Sequence, residues 1–182
     1  MDQSTLTDLI ALCKQNDQKA FRRIVEGYQS MVYSLAYRML CNEEEAKDTV
    51  QETFIKVWIH LEHYHTDKKF STWVYAIATN LCLDKLKSSK HIYQDNTNNE
   101  TLLNLISEDN IEQSMINSEL GEIILRLTSG LTPKQKMVFT LRYLEDIEID
   151  EIVQITGLTP AKIKSNLFLA RQTIRRKLEI LK

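Results

Sequence analysis

The chain has 182 residues, with 23 Lys and Arg against 25 Asp and Glu, 43% hydrophobic residues, four Gly and two Pro. That balance excludes a disordered acidic tail, a collagenous polymer and a low-complexity chain, and so few Gly and Pro leave little room for tight hairpin turns. The composition predicts an all-α fold at a length that holds one ordinary domain or two small ones.

The first turns carry Asp2, Asp8 and Lys14 with no basic-then-apolar leader, and no stretch approaches the ~18 apolar residues of a membrane span. The expectation is a cytoplasmic protein without membrane insertion. Cys13, Cys41 and Cys82 are widely spaced, odd in number and lack a C-x-x-C pair, so they are expected to be reduced core thiols.

In chain order, Leu6, Leu9, Ile10 and Cys13 mark a short first helix. Asp17 caps a long second one with Phe21, Ile24, Val25, Tyr28, Val32, Leu35, Ala36 and Met39 at helical spacing. Asn42 caps a third, running to about Leu61, and its Glu43, Glu44 and Glu45 suit the positive end of the helix dipole. A fourth starts at Ser71 or Thr72 and ends near Lys87. Residues 88–117 are rich in Asn and acids and predict a flexible acidic linker between domains at 1–87 and 118–182. Beyond it come a helix from Glu119 to Leu127, one opened by Thr132-Pro133 and running to about Leu144, and one over Ile149 to Thr156. Gly157 breaks the chain there, and Thr159-Pro160 opens a last helix to about Leu181, which gives a helix-turn-helix outline.

The near-neutral total hides a polar division. Residues 160–182 carry seven basic groups and one acidic one, whereas residues 88–118 carry one basic group and five acidic ones. Such asymmetry points to an anionic partner at the C-terminal end. On the last helix Ile163, Leu167, Ala170, Ile174, Leu178 and Leu181 share one face and are expected to pack inward. In a helix-turn-helix the start of the second helix meets base edges and its basic flanks meet phosphates. Ala161, Lys162, Ser165, Asn166 and Leu169 are therefore base-edge candidates, and Lys164, Arg171, Arg175 and Arg176 phosphate clamps; a merely solvated basic face is the plainer alternative.

The third helix has Ala46, Val50, Phe54, Val57 and Leu61 on a core face, and Asp48, Gln51, Glu52, Ile55 and Ile59 opposite. A mixed acidic and apolar outer face suits docking to a basic protein surface, against the alternative of two scattered surface isoleucines. The fourth helix aligns Trp73, Asn80, Asp84 and Lys87 on one stripe, entered from Lys68 and Lys69. An aromatic ring, an amide, a carboxylate and lysines can stack on, read and hold unpaired bases; the alternative is a core Trp73 beside solvated Asn80 and Asp84.

Three segments carry a family resemblance. Ala46-Lys47-Asp48-Thr49-Val50-Gln51-Glu52-Thr53-Phe54-Ile55-Lys56-Val57-Trp58 resembles the most typical segment of the extracytoplasmic-function (ECF) sigma factors. Phe70-Ser71-Thr72-Trp73-Val74-Tyr75-Ala76-Ile77-Ala78-Thr79-Asn80, followed by Asp84, is similar to their promoter-melting helix. Leu131-Thr132-Pro133, Val138-Phe139, Arg142-Tyr143, Glu151-Ile152, Gly157-Leu158, Lys164-Ser165 and Ala170-Arg171 resemble their C-terminal helix-turn-helix. Val153 stands where the family commonly has Ala, and Asn166 and Leu169 where it commonly has basic residues.

The resemblance implies that Asp48, Gln51, Glu52 and Ile55 dock on core RNA polymerase. It implies that Lys68, Lys69, Trp73, Asn80, Asp84 and Lys87 open the minus-10 element and hold a flipped base, whose extrusion costs a few kcal/mol. The last helix would read the minus-35 element of promoter DNA. The implied partners also include an anti-sigma factor, in this family commonly membrane-bound.

Catalytic chemistry finds little support. His60, Glu62, His63 and His65 straddle a helix end without a fixed fourth ligand, so no metal site or cofactor is expected. No phosphate-cradling Gly loop, nucleophile elbow or H-E-x-x-H motif is present, and an enzyme is not expected. Two rivals remain, a stand-alone helix-turn-helix regulator that needs no polymerase and a metal-dependent hydrolase built on the acids and histidines.

Overall fold

In the structure, a computed structural model, residues 3–64, 69–93 and 121–180 are described. Helix α1 spans Gln3–Cys13, α2 Gln18–Leu40, α3 Glu43–His60 and α4 Phe70–Tyr93, with a 3-10 turn at Leu61–His63. Residues 121–128 form α5. Then follow α6 at Pro133–Phe139, a π-helical turn at Thr140–Leu144, α7 at Ile149–Thr156 and α8 at Pro160–Ile180. No strand occurs among the described residues, as the composition predicts.

Local chemistry sets most helix ends. Asp17 Oδ1 accepts from the backbone N–H groups of Lys19 and Ala20 at 2.8 and 3.1 Å, and Asn42 accepts from that of Glu45 at 3.0 Å. Each oxygen satisfies donors that the first helical turn cannot. Between α2 and α3 stand only Cys41, in the left-handed region at φ 54°, and Asn42, so the two helices turn back on each other. At α6 the Thr132 hydroxyl and the Gln135 amide close a reciprocal capping box, with Pro133 at the first helical position. Gly157, at φ 67°, ends α7 by donating its N–H to Val153 O at 2.8 Å.

Helices α2, α3 and α4 pack pairwise and α1 lies on α2, forming the N-terminal unit. Ile24, Val32, Leu35, Met39, Val57 and Val74 are fully buried at its centre. On α3 the expected core face is joined by Thr49 and Thr53, both fully buried. Their hydroxyls donate to Glu45 O at 2.7 Å and Thr49 O at 2.6 Å, which removes the cost of burying them.

The C-terminal unit packs α8 across α6 and α7. Ile163, Leu167, Ala170 and Ile174 are buried as expected, but Leu178 is 47% exposed; Leu181 falls outside the described residues. Helix α4 continues six residues past the expected end at Lys87, to Tyr93. The remainder of the predicted linker, residues 94–117, lies outside the described residues.

The two units share one core. Met137, Val138, Leu141, Ile152 and Ile155 belong to the same buried cluster as the centre of the N-terminal unit, with α4 lying against α6 and α7 and α2 against the π-helical turn.

Candidate nucleic-acid and polymerase interfaces

Helix α8 offers its polar side to solvent because its buried stripe is narrow. Ala161, Lys162, Lys164, Ser165 and Leu169 are exposed on its first half. Asn166 is half-buried, and its amide donates to Lys162 O at 2.8 Å, so the helix itself engages this base-edge candidate. Further along, Arg171, Arg175 and Arg176 are exposed. Arg175 pairs with Glu179 at 3.2 Å one turn on, whereas Lys162, Lys164 and Arg171 form no ion pair among the described residues. Phe168 and Leu169 add 53% and 43% exposed apolar side chains to the same surface. Unpaired cations around a helix start that juts from a tight Gly turn can meet a phosphate backbone on either side of a groove.

On α3, Asp48, Gln51 and Ile55 are exposed, as is Ile59. Glu52 is tied to Lys85 of α4 at 2.9 Å, so that carboxylate is partly compensated within the chain. Beside this stripe the structure adds a groove of about 510 Å³ between α2 and α3, lined by Phe21, Val25, Gln51, Phe54, Ile55 and Trp58. Phe21 stands edge-on to Trp58 with ring centroids 4.7 Å apart. Charge and helix periodicity single out the acids and isoleucines; the aromatic wall needs two helices side by side.

On α4, Asn80, Asp84 and Lys87 are exposed along one stripe, with Lys87 on Asp84 at 3.0 Å. Trp73 is half-buried, its ring 5.2 Å from Tyr64 and 5.6 Å from Phe70. This packing fixes the indole, which stands as one wall of an aromatic cluster and not as a freely projecting platform. Lys69 reaches Glu151 of α7 at 3.7 Å, and Lys68 lies outside the described residues.

Sequence reasoning missed the residues that join the two units. Glu145 follows the π-helical turn with its side chain 7% exposed, and accepts from Arg38 at 2.9 Å, Ser34 at 3.3 Å and Tyr75 at 3.2 Å. The Arg38 guanidinium also donates to Leu144 O. Burial, and then the Glu145 carboxylate, push the Tyr75 hydroxyl far above its ordinary range, so Tyr75 stays a donor. Glu151 accepts from the buried Thr72 hydroxyl at 2.7 Å. Lys136, only 7% exposed, donates to Cys41 Sγ at 3.5 Å. No periodicity could have found these partners, whose sequence separations exceed 69 residues.

Other chemistry is thin. His60 and His63 lie with ring centroids 6.3 Å apart, and among the described residues no group of three or more His, Cys, Asp or Glu could hold a metal. No helix among the described residues is long and apolar enough to cross a membrane.

Comparison with known proteins places this geometry. The Sigma-70 region 2 family model matches residues 24–92 and the Sigma-70, region 4 model residues 121–174, one on each helical unit. The chain is 33% identical over 172 residues to the ECF RNA polymerase sigma factor SigW of Bacillus subtilis (strain 168), covering 91% of this chain and 92% of that one. It is 33% identical over 185 residues to the ECF RNA polymerase sigma-E factor of Escherichia coli (strain K12), covering 96% and 95%. Among solved structures, CnrH in complex with the cytosolic domain of CnrY has the same fold, at TM-score 0.69 and 19% identity over 97% of this chain and 98% of that one. So does the sigma factor RpoE from Bartonella quintana in complex with the anti-sigma factor NepR, at TM-score 0.65 and 17% identity over 90% and 99%. With both regions present in order and the identity running almost end to end, the chain belongs to the ECF sigma factors of RNA polymerase.

Proposed function

We propose that this chain binds core RNA polymerase and directs it to promoters, with α8 reading the minus-35 element and α4 helping to melt and hold the minus-10 element. The observation that carries the reading is α8 itself. Its start projects from the Gly157 turn with Lys162, Lys164 and Ser165 exposed, while Ile163 and Leu167 anchor it from beneath. Ala161, Asn166 and Leu169 join Lys162 and Ser165 toward the bases, and Arg171, Arg175 and Arg176 join Lys164 on phosphates.

Polymerase docking belongs to the α3 stripe of Asp48, Gln51, Glu52 and Ile55. The acids Asp48 and Glu52 stand beside an apolar aromatic groove whose one charged lining residue is Arg22, and together they fit a partner surface with basic groups around protruding apolar side chains. Asn80 and Asp84 are the base-reading pair on α4, Trp73 the stacking wall, and Lys68, Lys69 and Lys87 hold the backbone. The residues between the domains, 88–117, serve as an acidic spacer. The chain acts in the cytoplasm as a non-catalytic factor. An anti-sigma factor is its regulator, a proposal motivated by a relative of this fold being solved with one.

Transcription with purified core polymerase tests the reading. The expected result is initiation at a discrete promoter, lost together with core binding in an Asp48→Arg, Gln51→Ala variant. Retained core binding by that variant would remove the docking assignment, and polymerase-independent regulation would favour the stand-alone regulator.

A further inference from the structure

The first half of α8 places apolar side chains on the face that its polar readers share. Its packing stripe is complete without them, since Ile163, Leu167, Ala170 and Ile174 are all buried. Opposite that stripe, at ~100° per residue, stand Ala161, Ser165, Phe168 and Leu169, all exposed. Phe168 and Leu169 are 53% and 43% exposed, and they lie on either side of Ser165 around the helix. Single apolar side chains on a surface need no explanation, whereas two neighbours bordered by cations form a patch with a definite chemistry. Lys164 and Arg171 stand on the Phe168 side and Lys162 on the Leu169 side, and none of the three forms an ion pair among the described residues.

Hydrogen-bonding groups on this face are few. Asn166 is half-buried and spends an amide N–H on Lys162 O at 2.8 Å, and Ser165 offers one short hydroxyl. Guanine is read best by a bidentate Arg or Lys and adenine by a bidentate Asn or Gln, contacts that Phe168 and Leu169 cannot make. The major groove offers such side chains a single apolar feature, the C5-methyl group of thymine. The bordering cations favour a duplex over an apolar protein surface, because they attract the phosphates that line a groove.

Resting on the proposed function, we propose that Phe168 and Leu169 are specificity-determining residues that read thymine methyl groups in the minus-35 element. The face of α8 then reads in two modes. Lys162 and Ser165 hydrogen-bond base edges, while Phe168 and Leu169 exclude water from the methyls beside them. This selects against uracil in the place of thymine, which keeps every hydrogen-bonding group and lacks only the methyl. Each methyl so covered contributes about fourfold in affinity.

The test uses holoenzyme reconstituted with the full chain and a promoter that it selects from a random pool. A holoenzyme that selects no promoter overturns the functional reading, and the proposal with it. A selected minus-35 element without thymine overturns the proposal alone. Given thymines there, each is replaced in turn by deoxyuridine and affinity is measured by competition. Wild type is expected to lose about fourfold at one or two positions. Leu169→Ala or Phe168→Ala should bind the thymine promoter about as weakly as wild type binds the deoxyuridine one, with no further loss when the methyl is removed. Leu169→Arg should go further and select guanine at its position, where a guanidinium pairs with O6 and N7. The deoxyuridine measurement on wild type needs no variant, so a misfolded variant leaves the proposal open to refutation. Wild-type affinity unchanged at every position overturns it. An equal deoxyuridine loss in wild type and both alanine variants assigns the methyls to other side chains and overturns it too. Alanine variants that lose core polymerase binding, while wild type tolerates deoxyuridine, make the pair a protein contact and likewise overturn it.

Discussion

Helices α8 and α4 are both assigned to promoter DNA, yet their cations are held differently. On α8, Lys162, Lys164 and Arg171 face solvent without an ion pair among the described residues. On and beside α4, Lys69 is on Glu151, Lys85 on Glu52 and Lys87 on Asp84. On the proposed reading, one helix is poised for a duplex already present. The other has its positive charge compensated until something moves, which suits a surface meant for single strands that exist only after melting. The clustering also bears on how a chain with more acids than bases binds DNA: residues 160–182 carry seven basic groups and one acidic one.

The largest effect should come from beneath α8. Ile163 is fully buried against α6 and α7 and Ile163→Ala is expected to destabilise the protein by about 2–4 kcal/mol, from lost transfer energy and the cavity left behind. Leu178, on the same face but 47% exposed, should cost under about 1 kcal/mol when truncated. Urea denaturation of the two variants checks this; equal losses would mean that the end of α8 is covered in solution.

Next in size is Arg171, one of the α8 cations without an ion pair among the described residues. Arg171→Ala should weaken binding across all sequences and lower the slope of log affinity on log salt by about 1, as loss of a phosphate contact does. Ser165→Ala should instead shift minus-35 preference with little change in salt slope. A promoter profile unaltered in both would remove α8 from the major groove.

Alkali should act on the core that both helices share. Burial pushes the Cys82 thiol up to about 12, and burial with Asp17 pushes Cys13 up to about 11, from 9.0. Both folded-state values lie above those of the unfolded chain, so stability is unaffected below about pH 9. It falls as pH rises from there toward 12, because only the unfolded chain releases these protons. Thermal melts should show a midpoint falling above pH 9 in wild type and falling less in Cys13→Ala, Cys82→Ala protein.

The helix-turn-helix was legible because its signals are local: Thr132-Pro133, Gly157 and Thr159-Pro160 act within a few residues, and all three sit where the sequence predicts. The extension of α4 was not legible, since Ser88, Ser89, Lys90 and His91 give no apolar period. Ser88 turns its hydroxyl back onto Asp84 O and Lys85 O, which satisfies that hydroxyl within the helix. The acid and amide stripe of α3 was visible from one helix, but its aromatic groove required Phe21 and Val25 of α2. Glu145 falls between two expected helices and carries no local signal of burial. What makes it a buried partner is the placement of Ser34, Arg38 and Tyr75, information held in tertiary structure alone.

The smallest expected effect gives the most selective test of the comparison. The Asp84–Lys87 pair is exposed on both sides, at 74% and 60%, so breaking it should change stability by only about 0.3 kcal/mol. Lys87→Ala nonetheless leaves Asp84 uncompensated on the face proposed for the melted strand, where a free carboxylate repels phosphate. Binding to intact duplex, which rests on α8, should then be unchanged. Affinity for a forked template with an exposed single strand should fall a few-fold in low salt and recover as salt screens the carboxylate. Asp84→Asn, Lys87→Ala removes both charges and should restore part of that loss. If duplex and fork binding fall together, the separation of roles between α8 and α4 is wrong.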